Sequence, residues 1–489
     1  AIELFDLERI EVAKGPQGTL FSRGASNGAI NFIFRRPDDE RYAEAAVQYG
    51  NFDNRRLQLV LNSPLREDKA WIRIGMVYHE RNGFVDNLVD GETLNGKNTI
   101  HVRSVLTYKP VESVKMDLIA YAQVDNPEQT AFKTIVPGLD IADPFTDSTG
   151  QTLDTPVDGF SPVALDPSGE LVRRVSGVTY LLDWDVNDNL RISSTSGLRL
   201  AEGDENFDLD GSSIPLLVSR EIQTDETIFQ ELRFTYDTQS IFSMFGGGSF
   251  YRQTSGLDRR VDFSQDNLFN IVLPGLTGTP LPVDIVGLGD LQEQTVTENT
   301  TTSFSAFIDG TLDIIEDTLS ITGGARVTRD EKEYTYSAPT ADPNSALVLA
   351  FSDLSQLGPA LGGDAGALLA FLNSIPTNPF STGNSTLSNG SSGLFDLLGI
   401  PSALVPPGLE TNALAGTTDG QVLSTSGNFS YIEPRAIIEF RPLDGLLTYV
   451  SYARGIRSGG LDIDPRQGAE EAQFARRIEK ESVQSYEFG

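Results

Sequence analysis

Through most of this chain, apolar and polar residues alternate with a period of two, and that pattern limits the fold more than any other feature. In 55–62, Leu57, Leu59 and Leu61 share one face and Arg56, Gln58 and Asn62 the other. In 70–78, Ala70, Ile72, Ile74, Met76 and Tyr78 oppose Arg73 and Gly75. The same reading gives strands over 44–49, 100–109, 115–123, 176–186, 190–200, 228–236, 241–250, 301–312, 319–328, 431–441 and 446–453. That makes about thirteen strands, with the start of a fourteenth at 486–489. Their connections also alternate. Short turns fall near 63–69, 110–114, 187–189, 237–240, 316–317 and 442–445; long connections fall near 79–98, 124–175, 201–225, 251–299, 330–427 and 454–480. A soluble sandwich does not need all its long loops on one edge. A transmembrane antiparallel β-barrel has this asymmetry, with short turns at one rim and long loops at the other. An open, odd set of strands would leave backbone unpaired in lipid, so the natural chain is expected to continue.

Composition narrows the function classes. No apolar run reaches 18 residues, so a transmembrane helix is not expected, which leaves spanning strands open. Lys and Arg total 37 against 69 acidic residues, a net charge of −32 that disfavours a nucleic-acid backbone as partner. Cysteine is absent, and the two histidines, His79 and His101, join no HExxH or Ser/His/Asp arrangement. No enzyme is expected. Asp204, Glu205, Asp208 and Asp210 form the densest acidic cluster, but the spacing closes no metal shell and matches no EF-hand. Ala341 to Gly427 contains no Lys or Arg; short helices are expected at 345–354 and 365–372, in a loop suited to covering or docking a ligand.

Arg9 to Pro37 reads RIEVAKGPQGTLFSRGASNGAINFIFRRP. Gly15, Pro16, Gly18, Gly24 and Gly28 form a turn scaffold between two short apolar runs. A nucleotide loop fails on detail, because neither GxGxxG opening a helix nor GxxxxGK[ST] is present. The stretch resembles the C-terminal part of the plug domain in TonB-dependent outer-membrane receptors, whose usual wording is close to IEVLRGPQGTLFGRNAxGGAINIxTKxP. Lys14 replaces the common Arg, Ser22 a Gly, Gly24 an Asn and Asn27 a Gly. Far downstream, YVSYARGIRSGG at 449–460 is similar to the family's barrel segment YxSxxxGFRSGG.

The resemblance implies a chain in two parts: residues 1–37 as the end of a small α/β plug, and 38–489 as the N-terminal portion of a 22-stranded barrel. It implies TonB and its inner-membrane energising complex as partners, acting through an N-terminal box upstream of this segment. It also implies ionic contacts between plug and barrel. On the plug side these are Arg9, Glu11, Lys14 and Arg23; on the wall they are Glu231, Arg233, Glu433 and Arg435. The sharpest expectation is Lys14 or Arg23 on Glu231 or Glu433. The implied activity is uptake of a scarce external solute across the outer membrane of a Gram-negative bacterium, with a ferric siderophore leading. A carbohydrate or other organic nutrient, or a passive channel or surface-binding protein, are the alternatives. No permanently bound cofactor is expected, and iron enters only inside a transported chelate.

Overall fold

The computed structural model describes residues 2–18, 25–131, 163, 165, 169–209, 217–238, 241–264, 290–338, 422–443, 445–463 and 475–489. Their regular structure is all β. An antiparallel hairpin comes first, β1 (Leu7–Lys14) and β2 (Gly28–Phe34), with Ile10 opposite Phe32 and Val12 opposite Ile30. The wall follows with β3 (Tyr42–Gly50), β4 (Asn54–Arg66) and β5 (Ala70–Arg81). A small hairpin, β6 (Val85–Asp86) with β7 (Thr93–Leu94), interrupts it. Next come β8 (Lys97–Val111), β9 (Val114–Asp125), β10 (Glu170–Asp185), β11 (Leu190–Asp208) and β12 (Leu217–Asp237). They continue as β13 (Phe242–Ser264), β14 (Asp290–Ile315), β15 (Leu319–Ser337), β16 (Val422–Leu443) and β17 (Leu446–Arg457). A second small hairpin, β18 (Gly460–Ile463) with β19 (Ala475–Ile478), precedes β20 (Glu481–Phe488).

Fourteen of these strands form one antiparallel sheet in chain order from β3 to β20, and its two edges are not paired with each other among the described residues. Every stretch expected to be a strand is one. The strands, however, run further into the long connections than alternation suggests. The connection placed at 201–225 shrinks to the interval between Asp208 and Leu217, and that at 251–299 to the interval between Ser264 and Asp290. That at 330–427 lies between Ser337 and Val422, and 454–480 contains the β18–β19 hairpin. The reason is that both faces are polar there. Glu221, Gln223 and Asp225 alternate with Ile222, Thr224 and Glu226, so the hydrophobic signal fades while backbone pairing persists. The helices expected at 345–354 and 365–372 lie outside the described residues.

Burial in the sheet is inverted relative to a soluble protein. Arg73, Asn62, Ser320, Arg326 and Thr328 are buried, while Leu61, Ile74, Ile321 and Val327 are exposed. A wall with lipid outside and a filled, polar interior requires that inversion. On the outward face near the short turns, Tyr108, Trp184, Tyr236 and Phe440 are all exposed, as an interfacial aromatic girdle would be.

Candidate functional site: the seat of the plug hairpin in the barrel wall

Side chains of the first forty residues reach the inner face of the wall at several levels. On the β3–β9 side the joint is ionic and layered. Uppermost, toward the long connections, the Glu3 carboxylate accepts from Lys97 Nζ at 2.7 Å, with His79 Nδ1 at 3.2 Å and Arg56 Nε at 3.5 Å. Its backbone N–H donates to Gln123 Oε1 at 2.7 Å, and its carbonyl oxygen lies 3.0 Å from His101 Nδ1. Burial pushes the Glu3 carboxyl up, but the bonds and charges of Lys97 and His79 outweigh it and hold the group below the ordinary carboxylate value. Phe5 packs edge-on against His101, 5.2 Å between ring centroids, over Gly75, where any side chain would strike its ring.

One layer down, Asp6 takes both Nε and Nη2 of Arg73, at 2.7 and 2.6 Å. Both side chains are buried, and the Tyr42 hydroxyl also contacts the guanidinium. Arg103 stacks on Phe34 at 4.3 Å, and Arg36 stands 3.6 Å from Asp117. Toward the short turns, Trp71 Nε1 donates to Asp39, and the Asn62 amide donates to Glu40 O at 2.6 Å. Each buried charge in this ladder thus meets an opposite charge or an aromatic face, as low dielectric surroundings demand.

On the β16–β20 side the joint is steric. Gly15 turns the chain at φ +73°, a conformation that costs other residues energy, and faces Glu487. Gly18 lies so close to the Glu433 carboxylate that a methyl group would collide with it. Gly455 leaves room for Pro16 and for the backbone of Ser26. Glu433 is fully buried and accepts from the Ile456 N–H at 2.9 Å. The two sequence motifs, GPQG and RGIRSGG, therefore touch.

The residues expected to tie plug to wall distribute as follows. Arg9 bonds Glu11 and Glu8, each at 2.7 Å, on the exposed face of β1. Arg9 holds the Glu11 carboxyl below its ordinary value, and Glu11 raises Arg9. Lys14 makes no ion pair among the described residues; it lines a cleft with Arg435, Glu439 and Glu487. Arg23 and Gly24 lie outside the described residues, and Gly28 opens β2 opposite Lys14. On the wall, Glu231 accepts from Arg233 at 3.1 Å and has Arg326 at 3.8 Å. Arg435 reaches past Gly324, where a side chain would strike Asp309, to grip Asp309 with Nη2 at 2.9 Å. Arg326, unforeseen in the sequence, is the register partner of Glu433, lies 4.4 Å over the Phe307 ring and donates to Ser305 Oγ at 2.7 Å. Glu231 and Asp309 are thus bound to wall arginines, and Glu433 to a wall N–H. Among the described residues no group of three or more His, Cys, Asp or Glu side chains could hold a metal ion.

Known proteins place this architecture. The family profile described as TonB dependent receptor-like, beta-barrel, matches residues 120–489. A metal-pseudopaline receptor, CntO of Pseudomonas aeruginosa, is 35% identical over 89 residues, which are 18% of this chain and 12% of that protein. The catecholate siderophore receptor Fiu of Escherichia coli K12 is 34% identical over 68 residues, 14% of this chain and 9% of that protein. Among solved structures, the ferric yersiniabactin uptake receptor FyuA of Yersinia pestis superposes with a TM-score of 0.62 at 16% identity, covering 99% of this chain and 57% of that one. The siderophore receptor PiuA of Acinetobacter baumannii gives 0.59 at 15% identity, covering 99% and 59%. This chain therefore spans a little over half the length of those receptors, and it belongs to the TonB-dependent receptors of the outer membrane.

Proposed function

We propose that this chain is the gated portion of a receptor that takes up a scarce solute, a ferric siderophore, across the outer membrane with energy delivered through TonB. The observation that carries this reading is the hairpin seated against the inner face of a lipid-exposed wall by a buried Asp6–Arg73 pair. Breaking such a buried pair is costly, so a ligand or an applied pull that favours an arrangement without it would act as a gate. The likeness to receptors for metal-pseudopaline, for catecholate siderophores and for ferric yersiniabactin uptake supports iron or metal chelates as cargo. TonB supplies force rather than chemistry, and uptake needs no catalytic group.

The test is binding by the full-length receptor in detergent across iron-loaded siderophores, their iron-free forms, haem, cobalamin and oligosaccharides. Selective micromolar or tighter binding of a ferric chelate is expected. Tight binding of a glycan with no ferric chelate bound would replace the iron reading with nutrient uptake, and constitutive ion flux with no ligand bound would replace it with a passive channel.

A further inference from the structure

A cleft of about 530 Å³ opens at the long-connection rim, between the ends of β5, β8, β9, β10 and β11. That volume lies in the range of small-ligand sites. Glu3 of the plug forms part of its lining, with Arg81, Lys97 and Arg173 as cations and Glu128 and Glu205 as further carboxylates. The cations are held only in part. Lys97 bonds Glu3 at 2.7 Å, and Arg173 stands 3.9 Å from Asp125. Arg81 donates Nη2 to Asn95 O at 2.6 Å, while its buried Nε has no hydrogen-bond partner among the described residues. Glu128 is tied down by the Gly83 N–H at 2.8 Å. Glu205 has Thr130 Oγ1 at 3.5 Å as its hydrogen-bond donor. Among the described residues the lining contains no aromatic side chain, so what it offers a ligand is charge, with the nearby ring of Phe84 already under Arg81 at 5.1 Å.

We propose that this cleft binds an aliphatic solute or metal chelate bearing carboxylates together with hydroxyl or ammonium donors, and that one of its carboxylates takes Lys97 from Glu3. This rests on the uptake reading above and adds to it the ligand class and the point at which occupancy reaches the plug. Arg81, Arg173 and Lys97 receive the carboxylates; Glu205 receives the donor. Glu3 is then a resident competitor. It occupies Lys97 while the cleft is empty, and when a solute carboxylate displaces it, the uppermost rung between plug and wall is left to His79 and Arg56. The competition gives the site opposite responses to two substitutions that break the same bond.

The experiment is calorimetric titration of the full-length receptor in detergent, with iron(III) citrate as the aliphatic carboxylate probe and an iron(III) tris-catecholate as the aromatic comparator. Lys97→Gln and Arg173→Gln each weaken citrate-chelate binding about tenfold, the scale of one charge-assisted hydrogen bond. Glu3→Gln tightens it by roughly threefold to tenfold, because Lys97 no longer has a carboxylate to surrender. If the pair only supported the fold, Glu3→Gln and Lys97→Gln would move affinity in the same direction, and that result overturns the proposal. Failure of iron(III) citrate to bind both the wild type and Glu3→Gln also overturns it. Catecholate binding that ignores all three substitutions removes this cleft as the ligand site yet leaves uptake standing, whereas no binding of any ferric chelate removes both.

Discussion

On the β3–β9 side the plug segment is held by charge; on the β16–β20 side it is held by the lack of side chains. The first seat is a ladder of Glu3, Asp6 and Arg36 on basic and acidic wall residues. The second is Gly15, Gly18 and Gly455 allowing backbone to approach carboxylates and turn residues. The two respond to different insults. Ionic rungs depend on protonation and on the loss of single partners. A close-packed seat does not tolerate added volume.

The largest break is Asp6→Ala. It leaves the Arg73 guanidinium buried without its carboxylate, at a cost of about 3–5 kcal/mol. Hydrogen exchange should accelerate through residues 2–6 and along β1, and adding Arg73→Met should restore much of the protection; unchanged exchange in Asp6→Ala would show that the ladder does not hold the segment. Next is Gly455→Val, which forces a side chain into Pro16 and Ser26 at about 1–3 kcal/mol. Loosening should appear at 15–18 and 25–28 and spare residues 2–6. If residues 2–6 loosen equally, the two seats are one cooperative unit.

Acid should separate the seats more gently. Because the Glu3 carboxyl is held below its ordinary value of 4.5, its contribution is complete above that pH and is lost as the pH falls through the lower value of the folded state. The Lys97 ammonium and the Arg56 guanidinium face it, so protonating Glu3 leaves their positive charges around a neutral acid. Exchange at residues 2–6 should rise on acidification before the Gly15–Gly18 turn responds; simultaneous onset would contradict a charge-held upper rung. The smallest effect belongs to Arg9→Gln, whose partners are exposed neighbours on its own strand. Neither seat should change, and protection lost at either one would mean that the exposed face of β1 bears on a surface.

The alternation of residues made the wall legible, since lipid outside and polar interior impose a period of two on every strand. Strand ends escaped notice where both faces are polar, as in 219–226. The turn motif and the RGIRSGG segment were legible singly, but their contact was not, because nothing in a sequence records that Gly455 makes room for Pro16. Charge misled more. Arg9 and Glu11 stand two apart on one strand and satisfy each other, so their presence in a plug did not signal a wall partner. Asp6 carries no motif; the clue was on the wall, where Arg73 interrupts the inward side of an otherwise apolar strand. The histidines, unremarkable by spacing, converge on Glu3 because β5 and β8 are adjacent strands.

The two seats also differ in the length of chain each one closes. Asp6 and Arg73 are 67 residues apart, whereas Pro16 and Gly455 are more than 400 apart. The entropic cost of closing a loop grows with its length, but only slowly. The ionic seat is therefore the more local of the two joints, and the seat at Gly455 is the one that ties the first residues to a distant part of the wall.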